Sequence, residues 1–321
     1  MSPSPKVLAI QFKFLGDAVL LSTALQNLRE HWPECELHVL SFEEARPILS
    51  ACSEVDKVWG ISKSALSGFK GMLRVFSKLR SIRFDRSVDF AGNDRGAIAS
   101  CIVNAKTRLG RPPRSEYSLR NFCFNEYQEP RATGMHQSEI YNDILVGWNL
   151  NTSYSPPPKL TLPPSRPYVG YPIQTDIGLH IGAGKKEKEW PIEYWVELAT
   201  ILDQHGINVT LTSGNNPDDR KKLTSIKREV KTAEIIPTQN LEGFMSTITS
   251  LETFVSADTG PMHIAAALGV KTVSLFGPTC SSIWAPRGEG HHSLRADESC
   301  KMSSIMPEVV ASAIIEQIVR D

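Results

Sequence analysis

The segment SADTGPMHIAAALGVKTVSLFGPT, residues 256–279, combines the turn, helix and strand signals that decide the fold. An acidic residue, a hydroxyl and a glycine precede Pro261, and an apolar helix-like run and an apolar strand follow it. With Pro261 at the first helical position, the next backbone N–H groups lack intrahelical partners, and the helix dipole favours an anion there. Gly260 lets a phosphate approach the backbone closely. In the alternative interpretation, Asp258 or Thr259 simply caps the helix.

Strand-like and helix-like segments alternate on the N-terminal side of this segment. Residues 6–12 and 36–42 have the apolar composition of buried strands, and residues 16–32 between them have an amphipathic helical pattern. Further along, a strand-like run at 176–182 is followed by a helix-like run at 191–206. Alternation of this kind predicts an α/β protein with parallel sheets covered by helices on both faces.

A proline-rich stretch divides the alternating pattern into two halves. Residues 151–167 hold six prolines and show no helical period, which is typical of a stiff extended linker. We therefore predict an N-terminal α/β domain over 1–150, a linker over 151–168 and a C-terminal α/β domain over 169–321. The last helix is expected to pack back toward the first domain. Ligands of such sheets bind at the carboxyl ends of the strands, and clefts between domains favour small molecules.

Composition narrows the class of protein. The net charge of zero argues against nucleic-acid binding, and six scattered cysteines without a C-x-x-C pair argue against a zinc cluster or a secreted disulfide scaffold. No signal sequence or long apolar run is present, so we expect a cytoplasmic protein with at most peripheral membrane contact. Residues 57–120 carry 14 basic and 4 acidic side chains, which indicates either attraction to a polyanion or an ordinary solvated surface.

Two further loops follow strands and precede helices. HIGAGKKEKEWP, residues 180–191, packs two glycines and three lysines into one junction, where a lysine can pair with a phosphate unless the loop is merely solvated. In FKFLGDAVL, residues 12–20, Gly16 permits a tight turn and Asp17 stands at a helix start. Asp17 is either an N-cap or a carboxylate placed to act as a general base.

Taken together, these motifs resemble family 9 glycosyltransferases, the heptosyltransferases of the lipopolysaccharide inner core. The resemblance is carried by L-G-D at the first helix, K-E-W-P at 188–191, and D-T-G-P-M-H followed by V-S-L-F-G-P-T. DFAGNDRGAIAS, residues 89–100, and LRADESC, residues 294–300, are similar to two other segments of that family.

This resemblance implies a GT-B fold, in which two Rossmann-like domains face each other across a cleft. It implies an inverting, metal-independent transfer of heptose from an ADP-sugar to an anionic glycolipid acceptor, with no cofactor. Asp17 becomes the general base, and Lys188 a contact to the diphosphate or donor sugar. Thr259 and Gly260 become backbone donors to the diphosphate, bordered by Asp258 and His263.

The remaining candidate residues follow from the same loops. Gly16, Lys13 and Arg95 are assigned to the acceptor side, and Gly214 and Asn216 to a loop near the donor sugar. Family members that use heptose often carry an acidic residue shortly after that glycine, whereas asparagines stand there in this chain. We expect a monomer that binds a nucleotide sugar and an anionic glycolipid.

Two alternative functions stay open on the sequence. One is a GT-B nucleotide-sugar epimerase, which would release nucleotide without an acceptor. The other is a non-catalytic nucleotide-sugar-binding protein.

Overall fold

The protein divides into two compact units in the computed structural model, Met1–Thr161 and Leu162–Asp321. The structure describes residues 4–66, 69–113, 115, 118, 120–131, 133–152, 155–162, 177–214, 216–236 and 240–319. Within the predicted linker, residues 153–154 and 163–168 lie outside the described residues. Asn215, between Gly214 and Asn216, also lies outside them.

The first unit is built on a parallel sheet that has six strands within the described residues, in the order β3-β2-β1-β4-β5-β6. Its strands are β1 (Lys6–Gln11), β2 (Glu36–Phe42), β3 (Lys57–Ile61), β4 (Arg86–Asp89), β5 (Thr107–Gly110) and β6 (Glu126–Tyr127). The helices are α1 (Leu15–His31), α2 (Arg46–Ser50), α3 (Lys63–Leu66), α4 (Phe69–Arg80), α5 (Asp94–Val103), α6 (Arg120–Cys123) and α7 (Gln137–Ile144).

The second unit repeats this architecture, with the order β12-β11-β10-β7-β8-β9 among its described strands, all parallel. Its strands are β7 (Ile177–Ile181), β8 (Val209–Ser213), β9 (Glu234–Ile235), β10 (Thr253–Ala257), β11 (Lys271–Phe276) and β12 (His291–Arg295). The helices are α8 (Ile192–Gln204), α9 (Pro217–Glu229), α10 (Leu241–Ile248), α11 (Gly260–Ala267), α12 (Ser281–Trp284) and α13 (Pro307–Val319).

The apolar strand residues explain why each unit folds in this way. Leu8 and Ile10 of β1 and Leu40 of β2 are fully buried in one cluster of the first unit, and Leu179 and Val255 belong to the cluster of the second unit. Strands covered on both faces carry continuous apolar runs, which is the pattern that predicted them. Two parallel sheets flanked by helices confirm the predicted α/β class.

The packing of α13 fits the same scheme. Its residues Val310, Ala311 and Ile314 are buried in the core cluster of the second unit. The expectation that this helix also packs toward the first domain stays a prediction.

The strand order creates a switch point in each sheet. In the first unit, the chain leaves β1 toward β2 and returns on the other side of β1 as β4, and in the second unit β7 and β10 have the same relation. Ligands of open parallel sheets bind outside the carboxyl ends of strands at such points. The loops after β1 and β4, and after β7 and β10, are therefore the places to search for a site.

Candidate functional site

Asp17 lies in the first turn of α1, the helix that follows the carboxyl end of β1. The helix begins at Leu15, and the residue in the N-cap position is Phe14, which makes no side-chain cap. The structural interpretation of Asp17 as an N-cap is therefore wrong, because its carboxylate lies inside the helix. Asp17 is only 6% exposed, so its carboxylate depends on protein partners rather than on water.

Two side chains contact the same oxygen of this carboxylate. The phenol of Tyr141, on α7, donates a hydrogen bond of 2.6 Å to Asp17 Oδ1. The ammonium nitrogen of Lys13 lies 3.7 Å from Oδ1 and 5.8 Å from the centre of the Tyr141 ring. The structure thus brings Lys13 and Asp17 together and adds Tyr141, which the sequence analysis did not identify.

Burial decides the protonation of both partners. Burial lowers the pKa of Lys13, and the charge of Asp17 opposes that shift. Burial also raises the pKa of Tyr141 well above its usual value, and the neighbouring Asp17 raises it further. Tyr141 is consequently a phenol, able to donate its proton to a carboxylate, over the whole physiological pH range.

A second carboxylate, Asp89, ends β4 on the other side of this switch point. Its Oδ1 accepts a 3.0 Å hydrogen bond from the backbone of Ala91, while Oδ2 is buried without a hydrogen-bond partner among the described residues. A Cβ atom on Gly96, in the first turn of α5, would lie 2.1 Å from Asp89 Oδ1. Burial raises the pKa of Asp89 to about 7, and Arg120 is the largest opposing charge.

A cavity of about 490 Å³ opens beside these loops. Its lining combines cationic and aromatic side chains with one amide, namely Phe12, Lys13, Phe14, Phe42, Lys63, Asn93 and Arg95. Phe14 is 83% exposed, and the guanidinium of Arg95 lies 6.0 Å from the centre of the Phe42 ring. Lys13 and Arg95, both assigned to the acceptor side, therefore line one cavity, whereas Gly16 is not among its described lining residues.

In the second unit, Lys188 and Asp258 form an ion pair at the equivalent switch point. Lys188 ends a short 3-10 helix after β7, and Asp258 follows β10 directly. The distance from Lys188 Nζ to Asp258 Oδ2 is 2.6 Å, and the Asp258 carbonyl oxygen lies at 3.4 Å. Asp258 is 6% exposed, so the ammonium group of Lys188 balances a buried charge.

The N-terminus of α11 adjoins this ion pair. The helix begins at Gly260, so Pro261 occupies the second helical position and not the first, as the sequence analysis assumed. Thr259 is the N-cap residue but makes no side-chain cap, because its hydroxyl donates to the Ala257 carbonyl at 3.2 Å. The side-chain capping alternative is therefore wrong for this helix. His263 is buried one turn further on.

The predicted loop with Gly214 and Asn216 leads into α9, whose first turn carries Asp219. The Asn216 side chain accepts a 3.0 Å hydrogen bond from the Asp218 backbone and so caps α9. The buried Asp219 carboxylate lies near Gly214 and beside Gly182, where the left-handed backbone (φ +103°) needs a glycine and a Cβ atom would lie 2.7 Å from that carboxylate. The proposed donor-sugar role of Gly214 and Asn216 stays a prediction.

Sequence reasoning missed Tyr141, Asp89 and Asp219 for different reasons. Tyr141 is 124 residues from its partner, and nothing in a helical segment indicates such a contact. Asp89 ends a predicted strand and begins the D-F-A-G-N segment, so its place at a strand end was a signal for a functional carboxylate. Asp219 ends the stretch GNNPDD, residues 214–219, in which nothing indicates that its carboxylate is buried.

The described residues contain neither a cluster of metal ligands nor a membrane-spanning helix. No group of three or more His, Cys, Asp or Glu side chains among them is arranged to hold a metal ion, and metal independence stays a prediction. None of the described helices has the length and apolar character needed to cross a bilayer.

The sequence profile of glycosyltransferase family 9 (heptosyltransferase) matches residues 72–312. The lipopolysaccharide heptosyltransferase 3 of Escherichia coli is 24% identical over 295 residues, covering 85% of this chain and 84% of that protein.

Two solved structures from E. coli extend the likeness along the whole chain. The ADP-heptose lipopolysaccharide heptosyltransferase II superimposes with a TM-score of 0.83 at 20% identity, over 98% of this chain and 99% of that one. The heptosyltransferase WaaC with ADP-2-deoxy-2-fluoro heptose gives 0.79 at 19% identity, over 97% and 99%. At these identities the likeness concerns the fold, and it confirms the predicted GT-B class.

Proposed function

The chain belongs to glycosyltransferase family 9, the heptosyltransferase family, and is therefore a glycosyltransferase; from this premise we propose that it transfers heptose from ADP-heptose to the lipopolysaccharide inner core or a related surface glycan. The proposed reaction inverts the anomeric centre and uses no metal ion. The observation that carries the proposal is the ammonium group of Lys188, which is held beside the uncapped N-terminus of α11.

The leaving group needs this positive environment. When the anomeric C–O bond of the donor breaks, negative charge develops on the diphosphate of ADP. A lysine and the free backbone N–H groups at a helix N-terminus stabilise such charge in a fixed geometry. In our proposal Lys188, Thr259 and Gly260 serve this purpose, with Asp258 holding Lys188 in place and His263 bordering the donor.

The attacking hydroxyl needs a base. The acceptor oxygen forms the new bond to the anomeric carbon as its proton passes to a carboxylate, which we propose is that of Asp17. Support comes from the burial of Asp17 and from the hydrogen bond of Tyr141, which holds one oxygen of the carboxylate in place.

We assign the acceptor to the cavity of the first unit. Lys13, Lys63 and Arg95 give it three cationic side chains, and Phe12 and Phe14 add aromatic surface. An acceptor that carries carboxylates or phosphates would be attracted by these cations and by the basic segment 57–120. This complementarity favours an anionic glycolipid over a neutral sugar.

The proposal is tested first on the donor. A bound ligand stabilises the folded protein by RT ln(1 + [L]/Kd), so ADP-heptose should raise the melting temperature of the purified protein. UDP- and GDP-sugars at the same concentration are the matched controls. Stabilisation by a UDP-sugar and none by ADP-heptose would contradict the proposed donor.

Transfer is then measured with ADP-heptose and a lipid acceptor lacking the terminal heptose. We expect a product of inverted anomeric configuration, formed at the same rate with and without EDTA. Donor turnover in the absence of acceptor would instead indicate an epimerase. Donor binding without turnover on any tested acceptor would indicate a binding protein.

A further inference from the structure

We infer that Tyr141 is a positioning residue for Asp17, and that its phenol holds Oδ1 of the carboxylate so that Oδ2 receives the proton of the acceptor hydroxyl. This inference deepens the proposed function and rests on its assignment of Asp17 as the base. It concerns how the Asp17 carboxylate, buried in the first turn of α1, is held in one orientation.

The contacts of Asp17 distinguish its two oxygens. Tyr141 donates to Oδ1 at 2.6 Å, and the ammonium group of Lys13 approaches the same atom at 3.7 Å. Among the described residues, no hydrogen bond or ion pair is made to Oδ2. A carboxylate fixed through one oxygen retains the other as its proton acceptor, because each oxygen carries its own lone pairs.

The position of Tyr141 is fixed by the packing of α7 on α1. The neighbouring residue Asn142 accepts a buried 2.8 Å hydrogen bond from Asn27 of α1, which sets the register of the two helices. The start of α7 is fixed by a capping box between His136 and Glu139. The Tyr141 ring packs edge-on against Phe90, with the ring centres 5.9 Å apart.

The phenol remains a donor because it cannot ionise at physiological pH. Burial is the main cause of its raised pKa, and the charge of Asp17 is the second. The other charged groups that act on this cluster are Lys13 itself, Arg111 and Asp89. Of these, Lys13 is the cation within ion-pair distance of Asp17 among the described residues, and burial lowers its pKa. The contact of Asp17 with the neutral phenol is thus shorter than its contact with the ammonium group.

This arrangement suits a base better than a tight ion pair would. A lysine at hydrogen-bond distance would stabilise the ionised carboxylate so strongly that proton acceptance became difficult. A phenol stabilises the carboxylate less than a full charge does, and it also fixes the direction of Oδ1.

The test uses Tyr141→Phe, which keeps the ring against Phe90 and removes only the hydroxyl. We expect kcat to fall by roughly 10- to 100-fold, the effect of losing a hydrogen bond to a charged group. We expect KM for the donor and for the acceptor to stay unchanged, so that the loss falls on kcat alone. That split is the signature of a contact that orients the base for the transition state without helping to bind either substrate.

The matched control is Tyr194→Phe, which removes a phenol on α8 that contacts the Met306 sulfur. It should leave kcat and both KM values unchanged. Because KM does not depend on how much protein is folded, and kcat can be referred to the folded fraction measured by circular dichroism, the comparison stays informative even if Tyr141→Phe is less stable.

The outcomes separate the inference from the proposed function. If the wild type transfers heptose and Tyr141→Phe keeps its kcat, the inference is overturned while the function stands. A lower kcat that comes with a raised KM for the donor or the acceptor would mean a purely structural role and would also overturn it. A wild type that transfers nothing would overturn the proposed function, and the role of Tyr141 with it.

Discussion

The switch points of the two units share a strand order but treat their carboxylates differently. In the second unit, Lys188 from the loop after β7 pairs at 2.6 Å with Asp258, which follows β10. In the first unit, Lys13 from the loop after β1 lies 3.7 Å from Asp17 in the first turn of α1, and Asp89 at the end of β4 has no ion pair among the described residues.

The difference indicates what each switch point is suited to do. Asp258 is neutralised by a cation, so this pair presents a fixed ammonium group to an anion. Asp17 is held mainly by the neutral phenol of Tyr141, and its Oδ2 makes no hydrogen bond or ion pair among the described residues. Asp89 forms no ion pair among the described residues, and burial raises its pKa to about 7 against the opposing charge of Arg120. In our proposal, one topology therefore provides an anion site in one unit and a base in the other.

The largest expected effect contrasts Asp17 with Asp258. Asp17→Asn should lower kcat by about 10²- to 10⁴-fold, the usual contribution of a general base, without changing donor affinity. Asp258→Asn should weaken donor binding, because Lys188 loses its partner. Transfer kinetics and calorimetric donor binding measure the two effects. Equal losses of kcat and equal donor affinities in the two variants would contradict the proposed difference between the two switch points.

The next effect concerns Asp89 and pH. The folded protein holds a proton on Asp89 up to about pH 7, whereas the unfolded chain releases it near pH 4. Stability contributed by this proton is present below about pH 4 and is lost as pH rises to about 7. The unfolding free energy of the wild type should therefore fall by up to about 4 kcal/mol relative to that of Asp89→Asn across this window.

Urea unfolding of both proteins between about pH 2 and pH 8 measures this loss and also covers the range below the pKa of an ordinary Asp. Asp85→Asn provides a control of opposite sign, because its hydrogen bond to Lys106 lowers the pKa of Asp85. The stability that Asp85 contributes is therefore lost as pH falls. Parallel stability curves for wild type and Asp89→Asn would show that Asp89 is not desolvated in this way.

The smallest expected effect comes from breaking the ion pair between Lys188 and Asp258. Lys188→Ala leaves the buried Asp258 charge unpaired and should cost about 3 kcal/mol of unfolding free energy. Adding Asp258→Asn should recover part of that loss, because the unpaired charge is removed. The matched variant Lys13→Ala should cost less, since burial already disfavours the charge of Lys13. Urea unfolding of Lys188→Ala, Asp258→Asn, the double variant and Lys13→Ala decides this. Additive effects at Lys188 and Asp258 would argue against the coupling.

Much of the fold could be predicted because buried strands carry an unmistakable apolar run. The strands β1, β2 and β7 were expected close to their observed bounds for this reason. β6 and β12 were not, because β6 has two residues and β12, HHSLR, is a half-exposed edge strand. An edge strand is covered less completely, so its sequence need not be apolar.

The candidate site divides in the same way. The motifs predicted that the lysine of K-E-W-P and the aspartate of D-T-G-P belong to one site, and the structure places Lys188 and Asp258, 70 residues apart, in contact. Local pattern also predicted the start of α11 to within one residue. It gave the wrong cap for α1, because side chains that look like caps can be buried within the first turn instead.

The sequence by itself determined the α/β class, the two-part organisation and the family motifs, because these depend on local periodicity and on short segments. Tertiary structure alone decided which groups surround each carboxylate. The contact between Tyr141 and Asp17 joins residues 124 positions apart, and it depends on the register of α7 against α1. Charge and burial are properties of the packed neighbourhood, so the distinction between a paired, a hydrogen-bonded and a desolvated carboxylate appears only once the chain is folded.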